Sequence, residues 1–266
     1  MATTPSPASV DTGRRRVRAE VWIVLGLSLG QSAVYAILRL VDRLTEAVPL
    51  AEQTAALNTS DSPKPWLDLL YQLAGIGFGV LPAVLALYLL AGGLSQDRAG
   101  AGHWPGPRRI GLTLGRPLRD LGWGAALAGG IGLPGIAFYL LGRQLGLTVH
   151  VSTASLGQYW WTVPVLILAA AQNGVIEEVV AVGYLGERLT ELGWRPWAWI
   201  AGSALLRGSY HLYQGFGPFL GNVAMGVVFA WFYQRRRRVM PLVVAHTLID
   251  VVAFIGPSLV DPSWLT

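Results

Sequence analysis

The chain has 266 residues and a formal charge of +5, yet only 13% of its residues are charged and 53% are apolar, with a mean hydropathy of +0.46. A soluble domain carries about 25% charged residues, so a soluble enzyme and a disordered chain are both excluded. The lack of cysteine removes a disulfide framework, a thiolate metal site and a cysteine nucleophile.

Residues 1–19 are polar, with Arg14, Arg15, Arg16 and Arg18, and read as a disordered basic cytoplasmic tail. The apolar stretch that follows is too long for the central region of a signal peptide. Seven apolar stretches then predict membrane helices near 20–41, 66–93, 121–146, 160–186, 196–215, 217–234 and 239–257. The expected fold is an all-α, polytopic transmembrane bundle of about seven spans, forming a single membrane domain over 20–266. Between the second and third spans, 94–119 mixes Trp104 with several arginines, as a segment lying on the cytoplasmic interface would. No internal repeat is visible.

The loops divide by charge. The tail, Arg98, Arg108, Arg109, Arg116, Arg119, Arg188, Arg195 and the run Arg235 to Arg238 fall in one alternating set. The other set holds only Arg43, Lys64 and Arg143, while Arg39 and Arg207 lie inside spans. Basic residues gather in cytoplasmic loops, which puts the N-terminus in the cytoplasm and the C-terminus outside. The same rule accounts for the basic pI, so no nucleic-acid partner is expected and the lipid bilayer is.

Six ionisable residues fall within the last four spans: Glu177, Glu178, Arg207, His211, His246 and Asp250. Each costs on the order of 3 kcal/mol in hydrocarbon, so such residues face the bundle interior or water and mark function. Glu177 and Glu178 are adjacent, and neighbours on a helix point about 100° apart. One of the two can therefore aim straight at a site, and a buried carboxylate that exchanges a proton near neutrality is what general-base work needs. Arg207 and His211 are four apart and share a helix face, as do His246 and Asp250. The second pair suits an imidazole and a carboxylate converging on one water or metal. Alternatives from the residues alone are a structural ion pair and a proton-coupled transporter, since transporters also bury Glu, His and Asp.

Two glutamates, a histidine about 34 residues on, and then HxxxD on the last span resemble the CPBP family of intramembrane proteases. That family includes the CAAX prenyl endopeptidases and the Abi-like bacteriocin-processing or self-immunity proteins, with the pattern EExxxR, FxxxH and HxxxN/D on successive helices. Glu177, Glu178, His211, His246 and Asp250 match it, within a core of 160–257, and the string from Arg207 to Gly215 followed by Gly221 and Asn222 resembles a bacterial branch. Two positions depart: Val182 stands where the pattern has arginine, and Arg207 where it has an aromatic residue. A buried carboxylate pair needs a nearby cation, so Arg207 is expected to supply from the fifth span the charge missing at Val182, and Val182→Ala is expected to do little.

The resemblance implies an intramembrane endopeptidase of a bacterial plasma membrane, cutting a membrane-associated protein or peptide. Glu177 or Glu178 would activate water. His211 and His246 would hold that water directly or through a divalent metal, with Asp250 as third ligand or orienter and Glu177 as a further ligand. Two imidazoles and a carboxylate suit zinc. Asn222, on the sixth span, is the expected oxyanion donor, and Arg207 has a supporting role. A non-catalytic immunity or scaffold protein would share the same fold. One tension stands: His211 falls about 15 residues, or roughly 22 Å, into its span, which calls for a shorter or tilted fifth helix.

Overall fold

A computed structural model describes residues 7–92, 105–152, 156–157 and 159–259. Eleven α-helices are defined there: α1 (Pro7–Gly26), α2 (Leu29–Thr45), α3 (Pro65–Gly79), α4 (Leu81–Ala91), α5 (Pro105–Arg109), α6 (Pro117–Gln144), α7 (Thr162–Glu177), α8 (Leu185–Glu191), α9 (Pro196–Ser209), α10 (Phe216–Arg236) and α11 (Met240–Leu259). Proline in the first turn opens α3, α4, α6 and α9, where its fixed φ suits the helix and its missing N–H costs nothing. Two three-residue strands, β1 (Thr54–Ala56) and β2 (His150–Ser152), pair in parallel, Thr54 opposite His150.

The protein is an all-α integral membrane bundle. Among the described residues, four helical stretches are long and apolar enough to cross a bilayer: Pro65–Ala91, Pro117–Gln144, Thr162–Glu191 and Phe216–Arg236. The pair α1 and α2, bent by 49°, passes the same test only when taken together, as a broken span or a re-entrant loop. Leu118, Leu133, Phe78 and Trp22 project outward from the bundle, a surface that suits lipid and that water would penalise.

Three sequence expectations are corrected by the fold. The segment 7–19 is helical and continuous with α1, where Asp11 pairs with Arg15 and Glu20 with Arg16 one turn apart. Expected span 196–215 is shorter: α9 ends at Ser209 and the chain turns through Tyr210 and His211. Its 14 residues make about 21 Å, less than the roughly 30 Å of hydrocarbon, so α9 alone is too short to cross, while its start at Pro196 leaves His211 at the expected distance from that end. Last, the helix after Glu177 is not regular. Glu178–Tyr184 forms a π-helical stretch, a feature that often marks functional sites. Trp104 and the C-terminal residue Thr266 lie outside the described residues.

Among the described residues, the two loop sets fall at opposite ends of the bundle. At the arginine-rich end, fully buried Arg188 bonds Glu20 and Glu191 at 2.8 Å each and the Leu89 carbonyl at 2.6 Å. Arg109 joins Glu187 at 3.3 Å and also Glu191, while Glu187 accepts from the Tyr233 hydroxyl at 2.8 Å and from Arg237. Arg238 pairs with Asp120. At the other end, Arg43 bonds Gln53 and the Thr54 carbonyl, Arg143 bonds the Ala51 and Thr148 carbonyls, and Thr148 bridges to Gly215.

Between these ends, α7 and its π stretch lie against α11, and α9 lies against α10. Glycine permits both approaches. A Cβ on Gly174 would stand 2.7 Å from Thr247 Oγ1 and 3.0 Å from the Val243 carbonyl, and one on Gly226 would stand 2.8 Å from Ala204 Cα. The first contact brings Glu177 and Glu178 onto His246. The second presses Arg207 against Phe229.

Candidate active site

Glu177 ends α7 and Glu178 opens the π stretch, about 13 to 16 residues from either end of the 162–191 crossing, and so near mid-membrane at 1.5 Å per residue. The side chains meet Arg207 of α9 and His246 of α11. Glu178 and Arg207 are fully buried, and His246 is nearly so.

Arg207 spans both carboxylates. Its Nη2 donates to Glu178 Oε1, and its Nη1 lies 3.3 Å from Glu177 Oε2. The guanidinium carbon sits 5.4 Å from the Phe229 ring centroid, so an aromatic face backs the cation. The geometry is that of a planar fork reading two acceptors, which a lysine ammonium cannot reproduce. Thus the arginine absent at Val182 has a counterpart on another helix. Val182 itself is buried in the apolar core.

His246 has two different nitrogens. Nδ1 is 2.7 Å from Glu178 Oε1, a distance that makes it the protonated nitrogen and donor. Nε2 then presents its lone pair, with Glu177 Oε2 at 3.8 Å and Asp250 Oδ1 at 3.7 Å. Asp250 Oδ2 accepts from Asn173 Nδ2 at 3.1 Å. Glu178 Oε2 and Arg207 Nε are sealed without a partner, whereas Glu177 Oε1, His246 Nε2 and Asp250 Oδ1 are not among the sealed atoms. The site therefore opens on the Nε2 side of the ring.

Glu177, Glu178 and His246 each offer one donor atom within 4.8 Å of the others, a separation that a metal ion could bridge. On the Nδ1 side that space is filled by Arg207, whose cation would repel a second one. Conditions on the Nε2 side are better. Two metal–ligand bonds of about 2.1 Å span at most about 4.2 Å, and both carboxylate separations fall inside that. Three carboxylates against one guanidinium leave an excess of negative charge, which a divalent cation would offset. His246 Nε2 is thus within reach of an ion shared with Glu177 or with Asp250, whereas the donors that all lie within reach of one another are those of Glu177, Glu178 and His246.

Not every expected site residue joins the group. His211 lies just beyond α9 with its ring against Tyr210, centroids 4.8 Å apart. Its Nδ1 is 3.0 Å from the Arg207 carbonyl, so Nδ1 carries the proton and Nε2 is an acceptor. His211 feels the charge of Glu177 but is outside the three-donor group, because the turn after Ser209 carries it away from the helix face that Arg207 occupies. Asn222 donates to the Pro218 carbonyl four residues back on its own helix, at 3.0 Å. That amide nitrogen is spent locally, and among the described residues Asn222 makes no hydrogen bond to the carboxylates.

The sequence pattern does not single out Tyr210, Asn173 or Phe229. The Tyr210 hydroxyl donates to Glu177 Oε2 at 2.6 Å. A usable signal exists for two of them: Asn173 is four before Glu177, and Tyr210 is three after Arg207, the spacings that share a helix face.

Residues 159–252 match the family model described as type II CAAX prenyl endopeptidase Rce1-like, and that segment contains all three motif groups and every contact just described except those to the arginine-rich end. No curated protein and no solved structure matches the chain. Over residues 159–252, the chain is therefore similar to the type II CAAX prenyl endopeptidase Rce1-like family.

Proposed function

We propose that the protein is an intramembrane endopeptidase that hydrolyses a peptide bond of a membrane-associated protein or peptide, with Glu177 as general base. The observation that carries this is the asymmetry of the glutamate pair. Glu178 is fully buried and bound on one oxygen by Arg207 and His246 Nδ1. Glu177 takes both its hydrogen bonds on Oε2, which also stands 3.8 Å from His246 Nε2, and keeps Oε1 free of other side chains among the described residues.

In this reading, water occupies the gap bounded by Glu177, His246 Nε2 and Asp250 Oδ1. Glu177 takes its proton as the oxygen attacks the scissile carbonyl, then passes that proton to the leaving amine. Glu178 orients the imidazole through Nδ1, the part a carboxylate commonly plays behind a ligating histidine. Asn173 holds Asp250 in turn. His211, which feels the charge of Glu177, would hold water or substrate through Nε2. His246, Asp250 and Glu177 would hold a divalent cation, with zinc suited to the nitrogen and oxygen donors. When bound, such an ion polarises the carbonyl and acidifies water. The arginine-rich end of the bundle faces the cytoplasm by the positive-inside rule, with residues 20–259 acting as one membrane domain.

The test is cleavage profiling of the detergent-purified protein by mass spectrometry, with and without chelator, beside metal analysis of the same sample. Discrete products are expected that disappear in Glu177→Ala and His246→Ala, and that fall with chelation as bound metal is lost. A purified protein that leaves a broad peptide library intact, yet moves protons across liposomes, would replace the protease with a carrier.

A further inference from the structure

Glu177 is held from two directions, and only one of them is an ion pair. Arg207 Nη1 approaches Oε2 at 3.3 Å, a long contact, while the Tyr210 hydroxyl donates to the same oxygen at 2.6 Å. Tyr210 is buried, and it follows the last residue of α9, where the chain leaves the helix for the turn. Arg207 and Tyr210 are three residues apart and so on one face. Both hydrogen bonds to Glu177 from the described residues thus fall on Oε2, the oxygen that also stands 3.8 Å from His246 Nε2, and Oε1 receives none.

A carboxylate has a soft terminal torsion. Held by the long arginine contact alone, Glu177 could rotate about it and turn either oxygen toward Arg207. The short phenol bond removes that freedom. We infer that Tyr210 is a positioning residue, whose hydroxyl fixes the rotamer of Glu177 and so aims the oxygen that takes the proton from water. The kinetic consequence rests on the protease reading, though the hydrogen bond itself is independent of it.

Tyr210→Phe removes one oxygen and keeps the ring that packs on His211, so the fold is retained. A hydrogen bond to a charged acceptor is among the stronger ones, and kcat is expected to fall about 10- to 100-fold with KM unchanged. The loss must vanish in a Glu177→Gln background, because Tyr210 acts only through Glu177. A structural role would instead lower folded yield and add to the Glu177→Gln effect, and that result overturns the inference.

A second measurement needs no cleavage. Infrared difference spectra, wild type minus Glu177→Gln, isolate the Glu177 carboxylate stretch, which should shift in Tyr210→Phe. An unshifted band overturns the positioning role even if the protein proves inactive. A shifted band in a protein that cleaves nothing would uphold the hydrogen bond and refute the protease.

Discussion

Replacing Arg207 by methionine is the most demanding perturbation of this site. The side chain keeps its length and its contact with Phe229 but loses the cation shared by Glu177 and Glu178. Both carboxylates then remain buried side by side, with only the imidazoles of His246 and His211 nearby to carry positive charge. Removing one partner of a buried pair costs about 3–5 kcal/mol, a large share of the roughly 5–15 kcal/mol that holds a domain together. Much of that cost is the stranded charge and not the lost bond. The double variant Arg207→Met with Glu178→Gln should therefore be more stable than the sum of its single losses predicts, by about 1–3 kcal/mol. Denaturant unfolding in detergent, with gel filtration of each sample, reads both quantities. Arg207→Met unfolding within about 1 kcal/mol of wild type, or strictly additive losses, would refute the shared cation. Val182→Ala serves as the contrast. Because Val182 is buried in the core, the variant costs about 1–2 kcal/mol of apolar burial and leaves the charge balance intact.

The two glutamates should separate. Glu178→Gln should lower folded yield and activity together, whereas Glu177→Gln should elute and melt like wild type. Asn222→Ala should retain cleavage within about threefold, since its amide serves only its own helix; a loss of about 10² or more, the size of an oxyanion contribution, would restore it to the site. At the far end of the bundle, Arg188→Met should lose about 3–5 kcal/mol of stability and leave the kcat of the folded fraction unchanged, measured on gel-filtered protein. A reporter fused after Arg238 should be cytoplasmic.

What is legible in the sequence follows from chemistry that depends on spacing. Charges inside apolar stretches stand out against lipid, so Glu177, Glu178, Arg207, His211, His246 and Asp250 can be picked from the sequence alone. The pairing of Arg207 with the glutamates is legible for the same reason, since a carboxylate pair in hydrocarbon must find a cation and Val182 offers none. Other features depend on register and packing, which one sequence does not display. The π stretch after Glu177 needs the backbone path, and the close approach of α7 to α11 depends on Gly174 facing Thr247. The division of labour between the glutamates depends on which oxygen each presents. Helix α1 reads as a tail because its arginines are solvated at one end, and the Arg188 network reads as ordinary loop charge because its members are scattered from Glu20 to Arg237. Tyr210 is hidden by its neighbour: beside His211, a tyrosine draws no notice until its hydroxyl is seen on Glu177.

The central claim is that Glu177 removes a proton from water that attacks a peptide bond. The most direct measurement compares cleavage by purified wild type and Glu177→Gln in one detergent, on one peptide that the wild type cuts. General-base catalysis by Glu177 predicts a loss of about 10² to 10⁴ in rate with identical elution and melting. Cleavage by Glu177→Gln at the wild-type rate would contradict it.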